Sequence, residues 1–480
     1  MKSIAKILAD GEWLILLLII PAVLFFGWYG IFLLSIPILF VLIRKIGYGY
    51  FIPPTPYNLA ILILFLQLCL SLFVVFDPSV SIPKVANLLM GIILFFAGIH
   101  LSRSKRRGLW FILAVTLLTG VGMAVVGLLG SVWEPPFDYL NLIKTGIPVQ
   151  IIVIPGTVGG IVNANELAGT LCWIAPLMIA LLIGTGKRLW NRSKPLLFFL
   201  VFGASLTSFV LLATLSRGGI LAYIIGLSVI IGIFVQPRWR LVLAVGLLVA
   251  GFALFFKYQN PQQAGESSAD PIGLLSRLEI WNRALLAISD FPLTGVSVNG
   301  FRVVVDSLYP LFQTPIGIDI AHSHNHFLQV ALDLGIFGLV SYVALWLISG
   351  TLLCQSWKFM TKMAQIHHPY YALIVGLLGS LVAGFVFGVF DAVSLGSRPS
   401  FIWWMLLSLT GATHYAVQFS DQRLRRSRRR HSESSSVLDA KEGTQPEALT
   451  TENAPPLKPH SGRNRRRATL PNEASLSKKV

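Results

Sequence analysis

The sequence predicts an all-α integral membrane protein with about twelve transmembrane helices and a helical extracytoplasmic loop cap. Mean hydropathy is +0.72, and only 12% of the 480 residues are charged, whereas soluble domains carry about 25% charged residues. The apolar residues form continuous runs close to the length of about 20 residues that spans a bilayer. Because no run alternates as barrel strands do, helices are the remaining way to pair backbone groups in lipid.

The apolar runs predict the spans in order along the chain. The first run, from Trp13 to Ile43, is too long for a cleavable leader and reads as two short spans that turn near Gly27 and Gly30. The twelve predicted spans are 13–27, 29–43, 57–76, 84–101, 109–130, 167–185, 195–213, 218–235, 239–256, 327–353, 370–390 and 399–419.

Basic residues concentrate in alternate loops, which predicts that these loops face the cytoplasm. The set comprises Lys2, Lys6, Arg44, Lys45, Arg103, Lys105, Arg106, Arg107, Lys187, Arg188, Arg192, Lys194, Arg238, Arg240, Lys358 and Lys362. Both termini are then cytoplasmic. The net charge of +17 follows from membrane topology, so no nucleic-acid partner is expected.

The chain divides into a membrane domain, 1–420, and a basic tail, 421–480. The tail is rich in Ser, Arg, Pro and Glu, which predicts a disordered cytoplasmic segment that contacts anionic lipids. Within the membrane domain, residues 257–326 form a large extracytoplasmic loop.

A helix is predicted inside this loop. Asp270 and Pro271 suit the N-cap and first helical position. An apolar stripe follows at helical spacing and predicts a helix lying on the membrane domain with this stripe downwards. The stripe is Leu274, Leu278, Trp281, Leu285 and Ile288.

Two arginines on the predicted outer side are candidate anion ligands. Arg217 begins an apolar helix between Ser216 and Gly218, small residues that would let a bulky anionic headgroup approach. Arg277 borders the apolar stripe of the loop helix, whereas Arg283 lies on its opposite, wet face. Two guanidinium groups suit a diphosphate. The alternatives are a snorkelling arginine at the membrane interface and an ordinary helix-surface charge.

Three histidines, His322, His324 and His326, alternate just before the tenth predicted span. Histidine suits proton transfer or anion contact near neutral pH. Zinc is the obvious rival ligand, and ordinary loop histidines are a further alternative. Since no fourth ligand, cysteine pair or HExxH motif accompanies the histidines, no metal is expected.

Several short motifs together resemble the O-antigen ligase and O-antigen polymerase superfamily. They are Asn163 to Ala168; Ser216-Arg217-Gly218-Gly219; Arg277 to Ala284, which includes Trp281 and Arg283; Phe291 to Phe301, which includes Asn299; His324-Asn325-His326-Phe327-Leu328-Gln329; and Leu334 to Gly338. Their order, spacing and predicted outward placement carry the resemblance, which extends over most of residues 1–420.

The resemblance implies a bacterial membrane glycosyltransferase of the GT-C type in the cytoplasmic (inner) membrane. Its donor would be a glycan on undecaprenyl diphosphate, and neither metal, cofactor nor nucleotide sugar would be needed. By resemblance, Arg217 and Arg277 bind the diphosphate, His324 assists attack by the acceptor, and Asn325 orients it. His322, His326, Arg283 and Asn299 are supporting candidates. The partners are the lipid-linked donor, a glycan or lipid acceptor, and membrane lipids.

Two alternatives remain beside the ligase. A polymerase would use another repeat unit on the same carrier as its acceptor. A small-solute, bicarbonate-like transporter is suggested by proteins of the same superfamily with that description. Transport predicts polar groups at mid-helix depth and broken helices; Gln67 and Asn87 are among the few such groups.

Overall fold

All regular secondary structure in the part of the chain that the structure describes is helical. The computed structural model describes residues 1–25, 27–145, 161–235, 274–314 and 319–418, with isolated positions between 238 and 249. No strand occurs in these ranges, so the predicted all-α class is confirmed.

The main helices follow one another with short connections. They are α1 (Lys2–Asp10), α2 (Glu12–Phe25), α3 (Gly30–Leu33), α4 (Ser35–Tyr48), α5 (Asn58–Ser71), α6 (Pro78–Ser104), α7 (Gly108–Gly130), α8 (Leu142–Thr145), α9 (Ala164–Arg192), α10 (Lys194–Ala213), α11 (Arg217–Phe234), α12 (Leu274–Asp290), α13 (Phe301–Leu308), α14 (His326–Lys362) and α15 (Pro369–Phe390). Residues 401–418 are also helical.

Eight helices among the described residues are long and apolar enough to cross a membrane, or nine if the bent pair α1–α2 counts as one span. Asn58–Val74 is a shorter apolar helix. The predicted count of twelve is therefore not confirmed. The predicted span 239–256 and the predicted tail lie largely or wholly outside the described residues.

Side-chain caps fix where the helices of the motif segments begin. Asn163 accepts the N–H groups of Asn165 and Glu166 at the start of α9, and the Ser216 hydroxyl accepts that of Gly219 at the start of α11. Asn325 accepts the N–H groups at the start of α14. Each cap satisfies donors that a helix end leaves unpaired.

The loop helices α12 and α13 form a small core of their own against the start of α14. Ile280, Ala284 and Val305 are fully buried there, together with Leu332 of α14. This packing corrects the predicted apolar stripe. Leu278 and Leu285 are 48% and 57% exposed, whereas Ile288 is buried. Small residues at 284 and 287 allow close packing, so they take the buried face instead of the leucines.

A break in α14 connects the loop to the membrane helices. Gly335 has φ 70° and ψ −177° inside the helix, and a side chain there would collide with the Leu293 carbonyl oxygen. The N–H of Ile336 donates to the Pro292 carbonyl oxygen at 2.8 Å. Glycine is needed at this position because the conformation is essentially restricted to glycine.

The two polar residues noted inside predicted spans make local contacts. The Gln67 amide, in the orientation that suits its surroundings, donates to the carbonyl oxygens of Leu334 and Leu293 at 3.1 and 2.7 Å. Asn87 donates to the Gly396 carbonyl oxygen at 3.1 Å. Gln67 thus satisfies carbonyl groups next to the helix break.

Candidate functional site

Asp391, immediately after α15, gathers the candidate side chains. It is 3% exposed. His324 Nδ1 lies 3.1 Å from its Oδ1, and His322 Nδ1 lies 3.8 Å from the same oxygen. Arg277 Nη2 lies 3.8 Å from Oδ2. Two predicted site histidines and one predicted arginine therefore meet at one carboxylate.

The last turn of α15 holds the three motif segments together through its backbone. Arg277 Nη1 donates to the Phe390 carbonyl oxygen at 3.0 Å, and Asn325 Nδ2 donates to that of Val389 at 3.0 Å. A Cβ at Gly218 would lie 3.2 Å from the Phe390 Cβ. The backbone next to Arg217 therefore packs against Phe390, at the same helix end that Arg277 contacts. The negative end of the helix dipole favours such cations.

The loop that carries His324 is held in an unusual conformation. His324 has φ 49°, and its N–H donates to His322 Nδ1 at 3.2 Å. Three of the five positive-φ residues other than glycine in the described ranges lie in the motif segments, namely Ser297, Asn299 and His324. A fourth, Leu215, directly precedes the Ser216 motif. Such backbone strain clusters at functional sites, where the surrounding contacts enforce it.

Neighbouring groups keep Asp391 ionised. Burial by itself would raise the pKa of Asp391, but His324, His322 and Arg277 outweigh burial and hold it well below its usual range. Burial lowers the pKa of His322 to about 3, and His324 beside it acts in the same direction. An ionised Asp391 only accepts hydrogen bonds, so the His324 tautomer that fits it carries its proton on Nδ1.

A buried network of hydrogen bonds holds the segment that precedes His324. Lys84 Nζ donates to Asn299 Oδ1 at 2.6 Å, and the Asn299 N–H donates to Asp333 at 3.0 Å. Gln329 donates to the same Asp333 oxygen at 2.9 Å and accepts the Ser323 N–H at 2.8 Å. Asn299 thereby joins α6 to the segment that precedes His324.

The start of α9 lies beside the start of α11. A Cβ at Gly219 would lie 2.7 Å from the Ala168 Cβ. Glu166, two residues before Ala168, interacts electrostatically with Lys84, Arg398 and Asp391. Lys84 and Arg398 are thus drawn towards the same end of the helix bundle as Asp391.

Two predicted site residues take part in other contacts. His326 is 2% exposed, and its Nε2 lies 3.1 Å from the Tyr342 hydroxyl, with the two rings stacked. The Arg283 guanidinium lies over the Phe312 ring, 5.6 Å from its centroid. Among the described residues, neither His326 nor Arg283 contacts Asp391.

Sequence reasoning missed Asp391. Its signal was present, because Asp391 directly follows an apolar helix at the predicted outer membrane surface. A carboxylate at such a depth requires partners. The partners His324 and Arg277 lie 67 and 113 positions away, and hydropathy carries no information about contacts of that separation.

His322, His324 and Asp391 also form a group with possible metal-ligand geometry. Their ligand atoms lie within 4.8 Å of one another. Arg277, however, lies 3.8 Å from the same carboxylate, and a guanidinium there repels a second cation. The geometry alone permits an ion, whereas the neighbouring charge favours an anion.

A comparison with protein families identifies the segment that contains most of these residues. The family model described as O-Antigen ligase matches residues 202–343. This match supports the resemblance to the O-antigen ligase superfamily over that segment. The matched segment includes Arg217, Arg277, His324 and Asn325, whereas Asp391 lies beyond its end. A search of curated proteins found no match. The matched family is one of membrane enzymes of the glycosyltransferase or ligase type.

Proposed function

We propose that this O-antigen ligase-like protein transfers a glycan from undecaprenyl diphosphate to an acceptor on the outer face of the bacterial cytoplasmic membrane, without a metal. The observation that carries the proposal is the convergence of Arg277 and His324 on Asp391. Cationic and proton-accepting groups then lie together at one helix end. The reaction needs both, because negative charge develops on the departing diphosphate while a hydroxyl loses its proton.

The arginines would stabilise the leaving group. Arg277 is 16% exposed and lies beside the backbone of the Arg217 segment at Phe390. Guanidinium groups bind phosphate oxygens in a bidentate manner and remain charged at physiological pH. Arg217 begins α11, whose N-terminal N–H groups also favour an anion. The diphosphate would accept the bonding electrons as the bond from the anomeric carbon to oxygen breaks.

His324 would receive the proton of the acceptor hydroxyl. Asp391 holds Nδ1, so Nε2 is the nitrogen that can accept a proton. The hydroxyl oxygen would bond to the anomeric carbon from the side opposite the diphosphate, with inversion. Asp391 would act as a positioning residue, since it touches His324 rather than the reacting atoms.

The remaining predicted residues would act indirectly. Asn325 fixes the histidine loop through its bond to Val389, and Asn299 supports it through Asp333. His322 supplies a second imidazole beside Asp391. His326 and Arg283 would support the fold near the site through Tyr342 and Phe312.

The test is glycan transfer by purified protein in nanodiscs. The donor is a labelled undecaprenyl-diphosphate oligosaccharide, and lipid A core and donor repeat units are offered as acceptors with a chelator present. We expect Arg217→Ala, Arg277→Ala and His324→Ala each to reduce transfer by about 10²-fold or more. Arg283→Ala is the matched control, because Arg283 lies on the same helix as Arg277 but contacts Phe312.

The acceptor that receives the glycan distinguishes a ligase from a polymerase. Transfer to lipid A core indicates a ligase, and transfer to a second repeat unit indicates a polymerase. If folded wild-type protein neither transfers the glycan nor binds the lipid diphosphate, the enzyme proposal is wrong and uptake of small anions by proteoliposomes becomes the next measurement. Transfer that stops with the chelator and returns with a divalent metal would contradict metal independence.

A further inference from the structure

Helix α12 exposes a row of leucines next to Arg277. Leu278 and Leu285 are 48% and 57% exposed, whereas Ile280 and Ala284 on the same helix are fully buried. Large exposed apolar side chains that lie together usually mark a surface that contacts a lipid or another apolar ligand.

The position of Arg277 relates this row to the site. At about 100° per residue, Trp281 and Leu285 lie about 40° and about 80° round the helix from Arg277, and Leu278 lies about 100° round in the same direction. Trp281, nearest to Arg277 of the three, is partly buried, and both leucines are exposed. We call Leu278, Trp281 and Leu285 the leucine flank. It begins at the arginine that contacts Asp391.

The opposite flank of α12 is polar and already engaged. Glu279 accepts the N–H groups of Phe312 and Gln313 at 2.6 and 2.9 Å, and Arg283 lies over the Phe312 ring. The helix therefore has a cation between its buried face and one apolar flank, with polar groups on the other flank. This distribution suits an amphiphilic ligand whose anionic group lies at Arg277.

We infer that the leucine flank binds the isoprenoid chain of the donor while Arg277 binds its diphosphate. The inference rests on the proposed function, since it uses the diphosphate as the anchor. The chain leaves the diphosphate directly, so it must begin beside Arg277. Leu278 and Leu285 are seven positions apart, so the flank extends about 10 Å along the helix axis. One helix would then recognise both chemical parts of the carrier.

Chain-length dependence provides the test. Glycan-free undecaprenyl diphosphate and farnesyl diphosphate are titrated into wild-type protein in nanodiscs, and transfer from glycosylated forms of both carriers is measured in parallel. The variant Leu278→Gln/Leu285→Gln changes the flank. The control Leu275→Gln/Leu286→Gln changes two leucines, 67% and 43% exposed, that lie on the crest of the helix away from Arg277. All four side chains are exposed, so folding should be retained.

We expect the flank variant to weaken binding of the long carrier about tenfold, because two half-buried leucine contacts are lost. Binding of the short carrier and the behaviour of the control should not change. Equal weakening of both carriers, no weakening, or the same loss in the control would overturn the inference and indicate contact with bulk membrane lipids instead. If wild-type protein binds both carriers but transfers neither glycan, the proposed function fails, and the binding data still decide the role of the flank.

Discussion

Two aspartates near opposite ends of α6, Asp10 and Asp391, each gather a cluster of polar side chains. The two clusters differ in the distances between the carboxylate and its partners. Asp10 receives the Tyr48 hydroxyl at 2.6 Å and Lys105 Nζ at 2.6 Å. Asp391 has one short contact, with His324 Nδ1 at 3.1 Å, whereas His322 and Arg277 both lie 3.8 Å from it. Both carboxylates are poorly exposed, at 13% and 4%. Burial is therefore similar, and the distances to the surrounding groups distinguish the clusters.

The difference indicates different roles. The Asp10 cluster uses short bonds to join α1 to α4 and to the segment after α6, as a structural latch does. The Asp391 cluster holds His322 and Arg277 farther from the carboxylate than the partners of Asp10 lie from theirs, and a guanidinium at that distance suits an incoming anion. Lys84 and His100 of α6 contact the two clusters through Asn299 and Asp10. They are 16 positions apart, or about 24 Å along the helix.

The largest effect should come from Asp391→Asn. The amide cannot hold the His324 tautomer through an ionic contact, so we expect glycan transfer to fall by about 10²-fold. Asp10→Asn, compared at equal amounts of folded protein by size-exclusion chromatography, should keep near-wild-type transfer. Equal losses of activity in the two variants would remove the distinction between the clusters.

Gly335→Ala should destabilise the break in α14, which lies on the Asp391 side of the comparison and not on the Asp10 side. Alanine must adopt φ 70° and avoid the Leu293 carbonyl oxygen, which costs about 1–3 kcal/mol. We expect a lower unfolding midpoint and lower transfer together. Gly232→Ala is the control, because a Cβ there meets nothing within 4 Å. An unfolding midpoint equal to that of the control would show that the break tolerates a side chain.

Asp10→Asn should lower the free energy of unfolding by about 1–3 kcal/mol, because it weakens the contacts with Lys105 and Tyr48. Thermal unfolding in detergent measures this loss, with Asp77→Asn as the control at an exposed helix cap. If Asp10→Asn is as stable as the control, the Asp10 cluster is not a latch, and another role must be sought for it.

The parts that were predictable from sequence are local. Hydropathy is a property of neighbouring residues, so it predicted the helical membrane class and most helix positions. Arg217, Arg277 and His324 were recognised because their motifs are contiguous. The grouping around Asp391 was not predictable, since His324 and Arg277 reach it across 67 and 113 positions.

The orientation of α12 shows why periodicity alone was insufficient. Both of its faces carry apolar residues, so the stripe through Leu278 and Leu285 and the row through Ile280 and Ala284 were both compatible with burial. Packing selected the row with the smaller residue, Ala284, which is fully buried. Residue size at the contact, rather than hydrophobicity, determined which face turned inward.

The smallest predicted effect concerns the charge of His322. It tests whether His322 is a charged partner of Asp391, as Lys105 is of Asp10. Burial lowers the pKa of His322 to about 3, below the value of about 6.5 in an unfolded chain. The neutral imidazole therefore stabilises the fold fully above about pH 6.5, and this contribution is lost as the pH falls towards about 3. Asp391, whose pKa is also lowered, remains ionised through most of that window.

We expect the unfolding midpoint to drop less between about pH 7.5 and about pH 4.5 in His322→Gln than in wild type. His367→Gln, which changes an exposed histidine, is the control and should show the wild-type drop. Identical drops in all three proteins would mean that folding does not lower the pKa of His322, so that at about pH 4.5 it would be a charged partner of Asp391, as Lys105 is of Asp10.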